Sequence, residues 1–498
     1  MTRPPLPLLV FVVGTGSLGA EIAAVRLLSP YFGASTVVWA NTIGVVLVSL
    51  SIGYWLGGRF ADRHPHMRGL CLLTLVAAGL LALVPFAADP FLNLAVTALD
   101  SISAGALIGS LIGVLALIAV PILLLGAVSP WAIRLAVDRV EQAGEVAGRL
   151  YALSTAGSLV GTLLSALLLI PLVGTRRTFL IFALAIALVA VLGLLPQRRY
   201  LAAPAAIALL LALPVGTLKA QTDSGRVIYE ADTEYQYARV IERDDRSRIL
   251  ELNEGQAQHS KYEPGTVLTG GYWDGMLVLP FTRRSEPPRR MAILGNAAGT
   301  TARAYGHFFP RTRIDGVELD PELTEIGRRF FDLHNPRLTM HHEDARPFIR
   351  RTDARYDVIE VDAYRQPYVP FYLTTKEFFA LVRDRLTPDG VLIVNVGEPE
   401  GQDKLEKVIT AGVRSALPYA VRDPVAATNT LVVGGRRPLS AARLRRAIPS
   451  MPAGLRPVAR SAAARIGPPK RGGPLYTDDR APVEWLIDKS IVKYANEQ

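Results

Sequence analysis

Residues 291–300 read MAILGNAAGT, a short apolar run followed by a turn bounded by two glycines. The run Met291–Leu294 predicts a buried strand, and a helix is expected to begin near Thr300. A glycine turn at such a junction lets backbone N–H groups approach a ligand closely, because glycine has no Cβ. The stretch therefore predicts the first strand of an α/β sheet, with Gly295 and Gly299 in a ligand-binding loop.

Four more apolar runs follow, separated by helical patterns. Strands that alternate with helices predict a doubly wound, Rossmann-like parallel sheet, whose ligands lie at the carboxyl ends of the strands. Asp320 is expected to cap a helix that runs through Leu333, with Pro321 in its first turn. The other predicted elements are strands over 314–319, 338–342, 356–361 and 391–396 and a helix over 374–386.

The segment before this sheet alternates apolar and polar residues in the manner of strands. Three strands are predicted, at Val227–Glu230, Tyr237–Glu242 and Arg248–Leu252, with a turn over 244–247. A small β-meander is therefore expected in front of the sheet.

The first 218 residues have a different composition. They hold 12 basic and 7 acidic residues, whereas the remaining 280 residues hold 79 charges. The first part is therefore too poor in charge for an ordinary soluble domain, and the second is too rich for a membrane bundle. The 50% hydrophobic composition and the single cysteine exclude a disordered chain and a disulfide scaffold. The charged second half excludes a pure transporter.

A membrane-spanning helix needs about 20 mostly apolar residues, and about seven stretches qualify. Small residues four positions apart, such as Gly157, Gly161 and Ser165, predict close packing between these helices. Residues 86–103, which contain Asp89 and Asp100, are interpreted as a loop. The predicted spans are 6–28, 37–58, 69–87, 104–127, 150–173, 178–196 and 201–218.

These patterns predict a multi-span α-helical membrane bundle followed by an α/β region. The predicted scheme has four parts: a transmembrane domain over 1–218, a β-meander over 219–285, a Rossmann-like catalytic domain over 286–437 and a C-terminal extension over 438–498.

The arginines of the short loops indicate the orientation in the membrane. Residues 59–68 and 134–149 carry three arginines each, whereas 29–36 and 88–103 carry no basic residue. The positive-inside rule therefore places the N-terminus in the cytoplasm. Seven spans would leave the soluble half outside, whereas an even number would return it to the cytoplasm.

Acidic residues follow the second and third predicted strands of the sheet. Glu318 can accept hydrogen bonds from both hydroxyls of a ribose, and Asp344 can reach the exocyclic amine of adenine. The glycine turn lacks the GxGxxG spacing that is typical of NAD sites. The pattern therefore indicates an adenosine group, and favours an S-adenosyl compound over NAD.

Asp362 follows the fourth predicted strand and opens an aromatic loop over 363–370. A carboxylate at this place faces the centre of the cleft. It could hold a cationic amine and accept its proton as the nitrogen becomes a nucleophile. Asp362 is therefore the candidate catalytic residue.

Residues 226–435 resemble the spermidine synthase (polyamine aminopropyltransferase) family. The whole chain resembles the membrane-fused branch of that family, in which a multi-span bundle precedes this domain, and the run LYTDDRAPVE at 475–484 is typical of that branch. The resemblance is carried by EYQ at 234–236, LNEGQAQ at 252–258, YWD at 272–274, GNAAG at 295–299, VELD at 317–320, EDA at 343–345 and YDVIEVD at 356–362.

The resemblance implies transfer of an aminopropyl group from decarboxylated S-adenosylmethionine to an amine, putrescine in the family, with release of methylthioadenosine. Gln236, Glu318, Asp344 and Ala345 would bind the adenosine part, and Asp362 would accept the proton. Contacts with the substrates would also come from Gln258, Tyr272, Asp274 and Tyr364.

The implied partners are the S-adenosyl compound, an amine and the lipid bilayer. No tightly bound cofactor, metal ion or nucleic acid is implied, and a homodimer is allowed. S-adenosyl compounds are made in the cytoplasm, so the soluble half is expected on the cytoplasmic side of the cell membrane.

Three positions depart from the family pattern. The loop aspartate of the family is Ala298 here, its histidine is Trp273, and Arg365 lies near the place of its second acid. Each change removes negative charge or adds positive charge around a dicationic substrate. The adenosine end is kept and the amine end is altered, so the acceptor stays open.

Two other functions stay open as well. Another S-adenosyl-dependent transferase, such as a methyltransferase acting on a membrane-associated acceptor, fits Glu318 and Asp344 equally well. A transporter with a nucleoside-sensing domain would use Glu21 in the first span and the loop Arg59–Arg63. No basic patch interleaved with aromatic residues indicates a nucleic-acid binder.

Overall fold

The structure is a computed structural model that describes residues 6–32, 36–100, 105–195, 197–213, 225–253, 257–364 and 369–487. Its contacts divide the chain into two compact units. The helical unit comprises residues 1–221 together with Asp232–Tyr237, and the soluble unit comprises 222–231 and 238–498. The main division lies close to the change in charge density near residue 218.

The helical unit is built from apolar helices. They are α1 (Leu6–Phe32), α2 (Thr36–Arg63), α3 (Met67–Asp100), α4 (Gly105–Leu117), α5 (Ala119–Gly126), α6 (Val128–Ala136), α7 (Ala143–Leu164), α8 (Ile170–Leu192) and α9 (Ala202–Ala212). In the described ranges, six stretches are long and apolar enough to cross a membrane: Leu6–Phe32, Thr36–Arg63, Met67–Leu92, Ala119–Ala136, Val140–Val173 and Thr175–Leu192.

The structure has six such stretches where the sequence predicted about seven. The predicted span 104–127 is interrupted near Ile118, between α4 and α5, so that Ile108–Leu117 is a shorter apolar helix. The predicted span 201–218 contains only the 11-residue α9, and residues 214–218 lie outside the described ranges.

The loop predicted over 86–103 is wrong, because α3 continues without interruption to Asp100. The predicted loop contains Asp89. In the structure the hydroxyl of Tyr31 donates to Asp89 Oδ1 at 2.7 Å, so the carboxylate has a partner within the helical unit.

The close packing predicted from small residues is confirmed between α1 and α7. A Cβ at Gly161 would lie 1.9 Å from the carbonyl oxygen of Thr15, and one at Gly157 would lie 2.2 Å from that of Phe11. The hydroxyl of Ser165 donates to the carbonyl of Gly19 at 3.0 Å. Only a residue without a side chain allows the two backbones to approach this closely.

Two charged residues of α1 lie inside the helical unit. Arg26 forms an ion pair with Asp232 Oδ1 at 2.8 Å, and the hydroxyl of Thr175 donates to the other carboxylate oxygen of Asp232. Glu21 is buried, with 7% of its surface exposed. Arg26 is therefore neutralised by a residue from the segment Asp232–Tyr237 and not by Glu21.

The soluble unit begins with a four-stranded antiparallel meander in the order β1-β2-β3-β4. Its strands are β1 (Arg226–Asp232), β2 (Tyr237–Glu242), β3 (Arg248–Leu252) and β4 (Gln258–Tyr262). The prediction of a meander is confirmed, and β4 is a fourth strand that the sequence analysis did not include.

A seven-stranded mixed sheet follows, in the order β10-β11-β9-β8-β5-β6-β7. Its strands are β5 (Arg290–Leu294), β6 (Arg313–Val317), β7 (Leu338–His341), β8 (Tyr356–Val361), β9 (Leu386–Gly397), β10 (Tyr419–Pro424) and β11 (Asn429–Gly435). The predicted Rossmann-like class is confirmed. The five predicted strands run parallel, and β10 and β11 add an antiparallel edge.

Helices cover the faces of this sheet. They are α10 (Tyr272–Val278), α11 (Thr300–Phe308), α12 (Pro321–Phe330), α13 (Ala345–Arg351), α14 (Lys376–Arg385), α15 (Lys404–Ala416), α16 (Ala441–Ala447) and α17 (Leu455–Arg465). The chain moves outward from β5 to β7 and then returns to β8 on the other side of β5. Strand order therefore reverses between β5 and β8, which is where a doubly wound sheet opens a cleft for a ligand.

Candidate active site

The predicted glycine turn follows β5, and its two glycines have a left-handed backbone conformation. Gly295 and Gly299 have φ of +90° and +84°, values that residues with a side chain rarely adopt. A Cβ at Gly295 would lie 2.4 Å from the carbonyl oxygen of Asp362, and one at Gly299 would lie 2.4 Å from Leu333 Cδ1. The turn therefore passes directly against the start of the loop that follows β8.

Glu318 lies at the carboxyl end of β6, beside the glycine turn. Its two oxygens accept the backbone N–H groups of Ala297, at 2.8 Å, and Asp320, at 3.1 Å. Burial raises the pKa of Glu318 to about 7, although both hydrogen bonds lower it. The carboxylate thus stabilises the turn. Each of its oxygens can accept one more hydrogen bond, for example from a ribose hydroxyl.

Asp344 lies after β7 and caps the N-terminus of α13. Its carboxylate accepts the backbone N–H of Arg346 at 2.9 Å and the hydroxyl of Tyr372. Ala345, the first residue of α13, is buried. The N–H of Arg346 and the hydroxyl of Tyr372 together fix the direction of the Asp344 carboxylate at the edge of the cleft.

Asp362 follows β8 at the centre of the sheet. Its backbone N–H donates to the carbonyl of Leu294 at 2.8 Å. Its side chain accepts Asn395 Nδ2 on Oδ1 at 2.8 Å and the hydroxyl of Tyr272 on Oδ2 at 2.9 Å. Burial raises the pKa of Asp362 to about 6, against the lowering effect of these two donors. A carboxylate with this pKa is ionised at neutral pH and can still take up a proton.

Two asparagines that the sequence analysis missed complete the surroundings of Asp362. Asn429 Nδ2 donates to Asn395 Oδ1 at 3.0 Å, which leaves the amide nitrogen of Asn395 directed at the Asp362 carboxylate. Asn395 had a signal in the sequence, because it is the one polar residue in the apolar run VLIVNV of β9. Asn429 begins β11, the strand that pairs with β9 on one side and β10 on the other and that the sequence analysis did not predict.

Tyr364 is the predicted substrate contact that follows Asp362. Its hydroxyl donates to the carbonyl of Asn395 at 3.0 Å and accepts the N–H of Gly397 at 2.7 Å. The phenol therefore attaches the loop after β8 to the end of β9.

Asp274 lies in the first turn of α10, where its carboxylate is occupied by its own loop. It accepts the N–H and the hydroxyl of Thr269, at 2.9 and 3.0 Å, and the N–H of Gly270 at 2.9 Å. These bonds stabilise the turn that presents Tyr272 to Asp362. The role of Asp274 as a substrate contact stays a prediction.

The other predicted contacts are spread more widely. Gln258 is exposed at the start of β4, and Gln236 is buried in the segment that groups with the helical unit. The roles of both in binding stay predictions. Arg365, which the sequence analysis placed near the amine end, lies outside the described residues.

The described positions that depart from the family pattern are apolar and buried. Ala298 has no exposed surface, and its N–H donates to Ser260 Oγ at 3.0 Å. Trp273 is buried with its ring centroid 4.2 Å from that of Tyr272. The residues 295–299 thus carry no carboxylate that could hold an ammonium group.

Comparison with protein families gives one match. A model of the spermine/spermidine synthase domain matches residues 276–435. This range contains Glu318, Asp344 and Asp362, whereas the meander and Tyr272 lie before it.

Curated proteins similar to this chain are polyamine aminopropyltransferases. A probable polyamine aminopropyl transferase of Bifidobacterium longum is 32% identical over 188 residues, which are 38% of this chain and 41% of that protein. A polyamine aminopropyltransferase of Vibrio vulnificus is 35% identical over 114 residues, 22% of this chain and 38% of that protein. This chain thus spans about two fifths of the length of either relative.

One relative matches over most of its length. The polyamine aminopropyltransferase of Corynebacterium efficiens is 27% identical over 453 residues, 83% of this chain and 82% of that protein. Because 83% of the chain exceeds the soluble unit, this similarity extends into the apolar helices.

Among solved structures, a probable spermidine synthase from Corynebacterium glutamicum is similar, with a TM-score of 0.39 and 21% identity over 52% of this chain and 100% of that one. The family match covers the sheet and the acidic residues at the ends of its strands. Residues 276–435 of this chain are therefore similar to the spermine/spermidine synthase domain.

Proposed function

We propose that this chain is a membrane-anchored aminopropyltransferase that uses decarboxylated S-adenosylmethionine and an amine acceptor. The observation that carries the proposal is the Asp362 carboxylate, which is partly buried, has a pKa raised to about 6 and is held between Tyr272 and Asn395. It lies directly beside the Gly295 turn, where an S-adenosyl group is expected.

The proposed reaction is an in-line displacement. The amine nitrogen attacks the methylene carbon beside the sulfonium, a C–N bond forms and the C–S bond breaks. The electron pair of that bond neutralises the sulfonium, and methylthioadenosine leaves. Asp362 takes the proton that the attacking nitrogen loses. The sulfonium is already a good leaving group, so the protein mainly orients the two substrates.

The adenosine part would be bound at the neighbouring strand ends. Glu318 would accept the ribose hydroxyls, and Asp344 with Ala345 would face the adenine. The geometry supports this assignment because both carboxylates are fixed by backbone N–H groups and lie after adjacent strands of the sheet.

A product assay with the purified full chain tests the proposal. With decarboxylated S-adenosylmethionine and a panel of putrescine, cadaverine and spermidine, we expect methylthioadenosine and an aminopropylated amine in equal amounts. Intact S-adenosylmethionine should give neither product. If neither compound is turned over with any amine, the domain has kept its fold without aminopropyl transfer.

One observation favours a second candidate, a methyltransferase. Ala298 is fully buried and stands where the resembling family has an aspartate that holds the aminopropyl amine. A site without that carboxylate has less reason to prefer the decarboxylated compound. Formation of S-adenosylhomocysteine from intact S-adenosylmethionine would identify this activity in the same assay.

We also propose that the helical unit anchors the protein in the cell membrane, with the soluble half in the cytoplasm. Six apolar stretches among the described residues, an even number, would return the chain to the side of its N-terminus. The S-adenosyl substrate is also made in the cytoplasm, on the side where the N-terminus is expected.

Cysteine labelling decides the side. In a chain whose only cysteine is replaced (Cys71→Ala), Asp244→Cys marks the exposed turn of the meander and His64→Cys marks the loop after α2. We expect a membrane-impermeant maleimide to label both sites only after the cells are permeabilised. Labelling of Asp244→Cys in intact cells, with His64→Cys still protected, would place the soluble half outside.

A further inference from the structure

The C-terminal segment 475–487 packs against the sheet domain. Tyr476, Val483 and Ile487 are buried in the same apolar core as β8 and β9, with 5%, 0% and 7% of their surfaces exposed. The carbonyl of Tyr476 accepts the N–H of Lys376 at 2.9 Å. This segment is therefore an integral part of the soluble unit, although it lies beyond the matched domain.

Asp478 makes the polar contacts of this segment. Its two oxygens accept both terminal nitrogens of Arg346, at 2.7 and 2.5 Å, in a bidentate pair. Its Oδ1 also accepts the hydroxyl of Thr375, the N-cap residue of α14, at 2.8 Å. Its backbone N–H donates to Glu377 at 3.1 Å. One carboxylate thus joins the first turns of α13 and α14.

Arg346 connects this carboxylate to the predicted adenine end of the site. Its backbone N–H is capped by Asp344, and its guanidinium donates to the carbonyl of Tyr372 at 3.0 Å. The hydroxyl of Tyr372 in turn donates to Asp344. Asp344, Arg346 and Tyr372 therefore form a closed ring of hydrogen bonds, which Asp478 holds from outside.

We propose that Asp478 is a positioning residue for the nucleoside end of the site, acting on Asp344 through Arg346 and Tyr372. The inference rests on the proposed function, because it takes Asp344 as the adenine contact. It assigns a role to the run LYTDDRAPVE that neither the matched domain nor the reaction chemistry requires.

The ion pair between Arg346 and Asp478 neutralises a guanidinium that is nearly buried. The Arg346 side chain is only 11% exposed, whereas Asp478 is 46% exposed. The Arg346 guanidinium also holds the pKa of Asp478 below its usual value. Without Asp478, a nearly buried positive charge would lose its counter-charge and would rearrange toward water. The Tyr372 carbonyl would then lose its donor, and the Asp344 carboxylate would lose its fixed direction.

The test compares Asp478→Asn with Asp479→Asn in the purified full chain. Asp479 is the exposed neighbour and undergoes the same chemical change. We expect Asp478→Asn to raise Kd for methylthioadenosine and KM for the S-adenosyl substrate by about fivefold, with kcat unchanged, because a bidentate pair whose carboxylate faces solvent contributes up to about 1 kcal/mol. Asp478→Glu should recover part of the loss, and Asp479→Asn should match the wild type.

The outcomes separate the two proposals. If the wild type binds methylthioadenosine and Asp478→Asn binds it equally well, the positioning role is wrong and the proposed function stands. A purely structural role would lower Tm and the active fraction without changing Kd of the folded protein, which also contradicts positioning. Failure of the wild type to bind methylthioadenosine would overturn the proposed function, and this inference with it.

Discussion

Asp362→Asn is expected to lower kcat by about 10²- to 10⁴-fold, the contribution of a positioned general base. The amide has the same shape as the carboxylate, and its oxygen can still accept Asn395 Nδ2, which now lies 2.8 Å from Asp362 Oδ1. An amide cannot take up a proton from an amine at neutral pH, so the chemical step alone should suffer. The measurement is kcat for methylthioadenosine formation, together with Kd for the nucleoside.

The matched control for this variant is Asp353→Asn, an exposed residue in the turn before β8. It should retain full activity, and both variants should bind methylthioadenosine like the wild type. Activity of Asp362→Asn within about threefold of the wild type would show that another group accepts the proton.

Glu318→Gln is expected to weaken methylthioadenosine binding by about 10- to 100-fold, because hydrogen bonds to a charged group contribute about 1.5–3 kcal/mol. Glu318 accepts two backbone N–H groups, from Ala297 and Asp320. A glutamine offers only one oxygen, so its NH₂ group would face one of these donors. Both the turn and the ribose contact should therefore be disturbed. Calorimetry with the full chain measures the effect.

The affinity for methylthioadenosine should also depend on pH, because Glu318 changes its protonation state near neutrality. The pKa of Glu318 is raised to about 7, so the group is mostly protonated at pH 6 and mostly ionised at pH 8. The ionised form accepts ribose hydroxyls better, and wild-type binding should tighten by up to about tenfold over this range. Binding to Glu318→Gln should lack this dependence. Glu325→Gln, on the exposed face of α12, is the matched control and should follow the wild type.

The central sheet could be predicted because its strands are short apolar runs with distinct ends. Tyr356–Val361 has the same bounds in the sequence analysis and in the structure. Burial between two layers of helices requires such runs, and they can be recognised without knowledge of their neighbours. The acids at their ends were found for the same reason, since the topology brings the carboxyl ends of parallel strands together.

The partners of Asp362 could not be found in this way. Tyr272 precedes it by 90 positions, and Asn395 follows it by 33. The contact of these two side chains with Asp362 depends on how α10 and β9 pack, and a local sequence pattern does not predict that packing. Asp274 shows the converse problem, because an acid that caps its own turn has the same sequence signature as one that contacts a ligand.

The helical half was predicted less accurately for a related reason. The acids Asp89 and Asp100 led to the prediction of a loop over 86–103, since an unpaired charge is costly inside a membrane. The structure supplies a donor, Tyr31, from another helix. A hydrogen bond from a residue distant in sequence can thus stabilise an acid within an apolar helix. A hydropathy profile does not detect such a partner.

The packing of segment 475–487 has a consequence for how the protein is made. Synthesis proceeds from the N-terminus, so the apolar helices and all strands of the sheet emerge before these residues. Asp478 can pair with Arg346, and so stabilise the ring of hydrogen bonds, only after residue 478 has been synthesised. On the proposed function, a growing chain would therefore fix the direction of the Asp344 carboxylate, and gain full affinity for the nucleoside, only once residue 478 has been added.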